Sequence, residues 1–556
     1  MGQEYKEIRK SCDILIVGGG ISGLTAAVSA KEKNPDASVI IVEKQTAGYG
    51  GKANKGGGVL QWFDPHMNPD DFLAYHVHSV GCYLGDQIIM RKYIAMNNEM
   101  IERMDGWGIK VPRQKIPTGP MTFMVGIDLD NCLKMAQRAR KLGCEIIDKV
   151  PISDLLTDGN KVSGAVGYSL LDGTFYIFEA KAVLLATGSQ NYRVSGMWSN
   201  GRGDGIYAAY KAGAEMRNPE FGSFMQLFGK DSYHERVFGE NNMYNRLGEN
   251  VTKNFRRFPE SDISATAIRE WYDQMQQGKG PIYLRVNREN SGTGGMENIW
   301  DRPYGQPFWK YSRAEGEGKD LENEVFAGLV GEQSPIKVGH NMDATLEGLY
   351  ATGDCSYTGS GAPGAVPAPP GRNRGSGILN GIFAGIVGGE AAAEFVKTAT
   401  QGKVCENQIA KLKEDAYAPL NRTEGTDPID VIDLVQEVMC PAENSCIMSE
   451  HRLNICLRKI AAAKELAKNL KAVDFHGMLS CHEAEAMVFS CEMHVRASLM
   501  RKESRGWFFR EDYPTMDNEN WLKWIIVKKG EDGEMNFSTE DIPIETYPVQ
   551  PLKFEH

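Results

Sequence analysis

The sequence predicts an α/β fold, and three observations predict it. Over residues 12–44 a buried strand, a glycine-rich turn, an apolar helix and a second buried strand follow one another. Two further apolar strands, "AVLLATGS" (182–189) and "EGLYATGDCS" (347–356), each run into Thr-Gly. Residues 406–500 carry amphipathic helical patterns, as in "EHRLNICLRKIAAAKELAKNL". At 556 residues the chain exceeds one core, so several domains are expected.

The first unit reads "CDILIVGGGISGLTAAVSAKEKNPDASVIIVEK". "DILIV" is a buried strand, "ISGLTAAVSAKEK" a helix and "SVIIVEK" the next strand. Between the first two lie Gly18, Gly20 and Gly23 in G-x-G-x-x-G spacing. Gly18 permits the tight turn, Gly20 the approach of a pyrophosphate, and Gly23 the packing of helix on strand. The helix start at Ile21 and Ser22 offers backbone N–H groups to phosphates. Glu43, twenty residues after Gly23, is placed to accept from a ribose hydroxyl, and Lys44 follows it. The unit is a Rossmann-like dinucleotide site.

"AGYGGKANKGGG" (47–58) holds six glycines in twelve residues. Backbone so poor in side chains turns sharply or lies against something flat. Gly50, Gly51, Gly56 and Gly57 are its candidate contacts, with Lys52, Asn54 and Lys55 as its polar side chains. A second G-x-G-x-x-G, at Gly359, Gly361 and Gly364, is rejected because prolines follow where a helix must begin. His76 and His78 sit in a predicted helix, where i and i+2 diverge, and are not read as a metal pair.

Composition excludes other classes. Net charge is -11, which argues against a nucleic-acid surface. No apolar run is read as approaching the roughly 20 residues of a membrane span. "MGQEYKEIRKSCD" lacks a signal-peptide core, and Lys6 does not suit a myristoylation signal. Eleven cysteines occur without a C-x-x-C pair, and Cys440, Cys446 and Cys456 are too loosely spaced for a metal motif. No bound metal, reduced thiols and a cytoplasmic location are expected.

The two Thr-Gly strands resemble those of two-dinucleotide-fold flavoproteins. The C-terminal "RKESRGWFFREDYPTMDNENWLK" (501–523) resembles the end of succinate dehydrogenase and fumarate reductase flavoprotein subunits. So do "RGDGIYAAYKAGAEM" (202–216) and "PGRNRGSGILNGIFAG" (370–385). "NPDDFLAYHVHSV", "MDGWGIKVP" and "GKGPIYLRV" are similar to the alpha subunit of adenylylsulfate reductase, a relative. The resemblance implies a Rossmann-like FAD-binding domain from 1–220 and 337–404, an inserted α+β capping domain at 221–336, a helical domain at 405–510 and a C-terminal segment at 511–556. It implies FAD contacts at Ala186, Thr187, Gly188, Asp204, Gly353, Asp354, Ser376 and Ile378. It also carries the glycine loop beneath the isoalloxazine ring, with Gly50 or Gly51 where membrane-bound relatives carry the histidine that bonds FAD. No histidine lies between Glu43 and Asp64, so the FAD is expected to be non-covalent.

The family's substrate machinery is only partly matched. Arg374 aligns with its substrate-side arginine, with Arg372 two residues earlier, and His340 falls near its substrate histidine. Its general-acid arginine is replaced by Ser261, with Arg256 and Arg257 as nearby cations. The adenylylsulfate reductase arginine aligns with Phe228. With one dinucleotide site and no cluster motif, the resemblance implies an iron–sulfur (ferredoxin-like) subunit or other electron-transfer protein as partner. It implies a small anionic substrate, no direct membrane insertion and an oligomeric assembly.

Overall fold

The computed structural model describes residues 5–54, 58–112, 116–119, 122–194, 201–230, 243–254, 263–286, 321–357 and 376–551. Its largest sheet runs in the order Glu145–Asp148, Val39–Glu43, Glu7–Val17, Phe175–Leu185, Lys161–Tyr168, Ile152–Asp158. The first four strands are parallel and the last two antiparallel. Leu349–Ala351 adds a seventh strand, parallel to the end of Phe175–Leu185. Val39–Glu43 is buried at every residue, as its unbroken "VIIVE" requires of a parallel strand covered on both faces. Both Thr-Gly segments therefore emerge at the same sheet end as the glycine turn.

Helix Ile21–Lys33 covers one face of this sheet and packs on helix Ser376–Phe395. The contact is made by glycines four residues apart. A Cβ on Gly381 would stand 3.0 Å from Ile21 Cγ2, one on Gly385 2.6 Å from the Ser22 carbonyl oxygen, and one on Gly389 2.4 Å from that of Ala26. This helix corrects the reading of the apolar runs. Gly377–Phe395 is long and apolar enough to cross a membrane by length and composition, yet most of it is buried inside the protein. Its apolar character serves helix-on-helix packing at close range.

The segment after residue 221 has its own four-stranded antiparallel sheet. The order is Phe224–Gly229, Leu321–Gly331, Ile282–Val286, Met243–Asn245, with helix Ile263–Gln276 against it. Helices Glu406–Asn421, Pro428–Met439, Glu450–Ala467 and Phe475–Met500 follow. The C-terminal segment, for which the sequence predicts no strands, forms a hairpin, Lys523–Lys529 with Met535–Asp541. Its first strand pairs with Met216–Arg217, in a five-stranded sheet that includes Ile336–Lys337 and Ser356–Tyr357.

The "RKESRGWFFRED" stretch is explained by charge burial. Arg501, Arg505, Arg510, Glu220 and Glu503 are fully or almost fully buried. Arg501 bridges Glu220 and Glu503 at 2.7 Å each, and Arg505 closes on the other Glu503 oxygen at 2.7 Å. Arg510 holds Asp512 by two hydrogen bonds. The arginines thus fasten the segment after the last long helix to Glu220, where the second sheet begins.

Candidate FAD site and its surroundings

The glycine turn is shaped by contacts that admit no side chain. Gly18 has φ +112°, and a Cβ there would stand 2.4 Å from the Ala186 carbonyl oxygen. A Cβ on Gly23 would stand 2.0 Å from the Gly18 carbonyl oxygen. Gly20 faces Gly51, and a Cβ on Gly51 would lie 2.9 Å from the Gly20 Cα. Part of the flat surface beneath the glycine loop is therefore the turn itself. Gly48 N donates to the Gly19 carbonyl, fixing the loop there. Gly20 stands at the N-cap of helix Ile21–Lys33, which has no side-chain cap, so its end is open to an anion. Lys55, Gly56 and Gly57 lie outside the described residues.

Glu43 is buried at the end of its strand. Its Oε2 accepts from Gly19 N at 2.6 Å and its Oε1 from Gln45 N at 2.8 Å. The carboxylate braces the turn and the loop together, and its remaining lone pairs are left for a ribose hydroxyl. Gly50 packs beside it, since a Cβ there would meet Glu43 Oε1 at 3.0 Å.

Lys44 and Asp204, read as separate cofactor contacts, are bound to each other. Lys44 Nζ lies 2.9 Å from Asp204 Oδ2 and 3.3 Å from Glu483 Oε1. Burial opposes the charge, but the two carboxylates prevail and raise the Lys44 pKa above the ordinary lysine range. Among the described residues, Asp204 Oδ1 and Thr187 Oγ1 are buried without a hydrogen-bond partner.

The second Thr-Gly segment closes on the same turn. Ser22 Oγ and Thr352 Oγ1 are 3.0 Å apart, and Gly353 (φ +67°) leaves no room for a Cβ against Ser22. Lys52 Nζ, from the glycine loop, lies 2.8 Å from Ser189 Oγ, 3.1 Å from Glu332 Oε1 and 3.3 Å from Asp354 Oδ2. Asn54 donates to the Gly48 carbonyl at 2.5 Å and so braces its own loop. Gly188 has φ +76°, with no atom within 4 Å of where its Cβ would stand. Ser376 opens the long helix, and Ile378 is half-buried on it. A side-chain-free cradle, an uncapped helix start and two orphaned oxygens at Thr187 and Asp204 fit a dinucleotide such as FAD.

Of the substrate-side candidates, Arg256, Arg257, Arg372 and Arg374, together with Ser261, lie outside the described residues. His340 Nε2 is 3.0 Å from Asp86 Oδ2, and its carbonyl accepts from Lys92. Asp86 also caps helix Gln87–Gly106 through Ile88 and Ile89 N. The described partners of His340 are thus not those of the Lys52 cluster. Phe228 is buried in the second sheet, its ring beside Phe326 and pressed on Gly328. His76 and His78 fall in a π-helical turn, His76–Val80, rather than an α-helix. His76 Nε2 is buried without a partner, and His78 Nδ1 meets the Tyr83 hydroxyl at 2.9 Å. Two residues were missed by the sequence reading. Ser189 ends the "ATGS" run, where a serine by itself is no signal, and Glu332 carries no local signal.

Comparison with known proteins supports FAD as the cofactor. Residues 13–226 match the family described as FAD binding domain, and residues 436–554 the one described as fumarate reductase flavoprotein C-term. The 8-methylmenaquinol:fumarate reductase flavoprotein subunit of Wolinella succinogenes is 23% identical, over 98% of this chain and 93% of its own. The fumarate reductase flavoprotein subunit of Escherichia coli is 23% identical, over 96% of this chain and 94% of its own. Among solved structures, a mutant of the E. coli quinol fumarate reductase chain FrdA superposes with TM-score 0.83 at 20% identity, covering 98% of this chain and 99% of its own. Adenosine-5-phosphosulfate reductase bound to sulfite gives 0.81 at 22% identity, over 99% and 98%.

Proposed function

The chain belongs to the fumarate reductase and succinate dehydrogenase flavoprotein family of FAD-dependent oxidoreductases, and from that premise we propose that it exchanges electrons between a redox partner protein, iron–sulfur in kind, and a small anionic substrate. The observation that carries this reading is the meeting of three distant segments at one place. The glycine turn, the glycine loop and the Thr352–Asp354 segment share contacts at Ser22, Gly51 and Lys52. FAD, when bound, supplies two-electron exchange with substrate and one-electron exchange with a carrier protein. This chain's residues bind and orient it: Gly18, Gly20 and Gly23 cradle the pyrophosphate and Glu43 accepts from the ribose. The absence of histidine from the loop supports a non-covalent cofactor.

Arg374 and Arg372 are the proposed substrate cations. A guanidinium gives two parallel hydrogen bonds to a carboxylate or similar oxyanion. Arg256 or Arg257 supplies charge where Ser261 replaces the family's arginine, and His340 is the remaining polar candidate. A partner protein is supported by the single dinucleotide motif, the missing cluster motif and relatives that are named as subunits. Adenylylsulfate as substrate is the less supported reading, because Phe228 is buried in the second sheet and offers an anion nothing.

Anaerobic turnover with a reduced viologen dye tests the reading, using enoates, adenylylsulfate and related acceptors. Arg374→Lys should lower turnover roughly tenfold to a thousandfold, about 1.4–4 kcal/mol of transition-state stabilisation. FAD content should hold. If no small acceptor reoxidises the reduced protein, a flavin relay within a larger complex replaces this proposal. If turnover per flavin survives Arg374→Lys, the substrate site lies elsewhere.

A further inference from the structure

We propose that Lys52 is the fixed cation that sets the reduction potential of the bound flavin, positioned by Ser189 and Glu332. The inference rests on the FAD-dependent reading above and deepens it.

Lys52 Nζ is triangulated by oxygens from three separate segments. Ser189 directly follows Thr187-Gly188, Asp354 directly follows Thr352-Gly353, and Glu332 directly follows the strand Leu321–Gly331. The first two are the Thr-Gly ends that lie against the glycine turn. The ammonium therefore stands where both strand ends and the glycine loop converge, not on a solvated face. The Lys52 side chain is 17% exposed and that of Glu332 only 2%.

Glu332 shows that this placement is enforced. It has φ +83°, a conformation that is uncommon and strained for a residue with a side chain. The adjacent backbone is held firmly, because Glu332 N and Gln333 N both donate to the Gln190 carbonyl, one residue beyond Ser189. The strained backbone thus presents a buried carboxylate to an ammonium that would otherwise follow its flexible four-carbon stem.

The chemical consequence follows from charge. A flavin that takes up two electrons and one proton keeps one net negative charge on its ring, whereas the oxidised ring is neutral. Lys52 offsets the Glu332 and Asp354 carboxylates beside it, so its presence leaves one less uncompensated negative charge near the ring and favours the reduced form over the oxidised one. Lys52 differs in this from an exposed lysine, whose charge water screens.

The test is potentiometric titration of the purified holoprotein with dithionite, beside fluorescence titration of the apoprotein with FAD. Lys52→Met should weaken binding of reduced relative to oxidised FAD by about tenfold to a hundredfold. For a two-electron couple that lowers the potential by about 30–60 mV. Lys52→Arg keeps the charge and should stay near wild type. If Lys52→Met does not fold, Lys52→Gln, which keeps hydrogen-bonding capacity without charge, gives the same reading. An unchanged potential in a folded Met or Gln variant overturns the proposal and leaves Lys52 as a latch on the loop. A wild-type protein that binds no FAD overturns the reading beneath it instead, so the two failures are distinguishable.

Discussion

Arg501 Nε donates to Glu220 Oε1 at 2.7 Å, with both side chains wholly removed from solvent. Neither charge survives burial alone. Burial raises the Glu220 pKa, with Arg501 opposing it, while the Glu220 and Glu503 carboxylates hold Arg501 charged. Arg501→Met leaves Glu220 and Glu503 without their shared cation. Losing one partner of a buried pair costs about 3–5 kcal/mol, so the variant should unfold at clearly lower denaturant. Arg501→Met combined with Glu220→Leu should recover part of the loss, because the stranded carboxylate is gone. Additive losses in the double variant would contradict this coupling.

Glu43 faces two backbone donors, Gly19 N and Gln45 N. In Glu43→Gln one of them must meet an NH2 group instead of an oxygen. FAD affinity should fall about tenfold or more, with about 1–3 kcal/mol of stability lost from the unsatisfied amide. Fluorescence titration of the apoprotein measures the first, and amide exchange at Gly19 and Gln45 the second. Wild-type affinity in this variant would mean that the fingerprint is misassigned.

The glycine loop offers no histidine for a flavin bond between Glu43 and Asp64. Acid precipitation of the holoprotein should leave the yellow colour in the supernatant. Colour kept in the washed pellet would establish a covalent link through another residue.

Legibility followed the range of the interaction. The first strand–turn–helix–strand unit was readable because its period, its glycines and Glu43 lie within about thirty residues. The Thr-Gly strands were readable because an unbroken apolar run ending in glycine is a local signal. Pairings across the fold were not. Nothing near Lys44 announces Asp204 and Glu483, and nothing near Glu332 announces Lys52. The C-terminal hairpin was missed because its buried run, Trp524–Val527, is only four residues long and gains its partner from Met216–Arg217. The helix Gly377–Phe395 was missed as an apolar run because its glycines hide its length. The same glycines reveal its packing only once Ser22 and Ala26 are seen against them.

Two buried histidines predict the acid side of the stability profile. His76 and His494 are fully buried, and burial lowers their pKa values to about 3 and about 4. His494 Nδ1 lies 3.2 Å from the Pro219 carbonyl, while its Nε2, like that of His76, has no hydrogen-bond partner among the described residues. Both rings are therefore neutral in the folded protein, whereas in the unfolded chain they take up a proton near pH 6.5. A depressed folded pKa means that the stability is fully present above pH 6.5. It is lost as pH falls from there through about 4 for His494 and about 3 for His76. Each unit of pH in that window costs about 1.4 kcal/mol per histidine, so at pH 5 each removes about 2 kcal/mol. Urea unfolding at pH 7, 6 and 5 should show this loss in the wild type. His76→Phe and His494→Gln should each reduce the slope by about 1.4 kcal/mol per unit, whatever they do to stability at pH 7. Slopes equal to wild type in both variants would show that these rings accept protons without leaving the folded state.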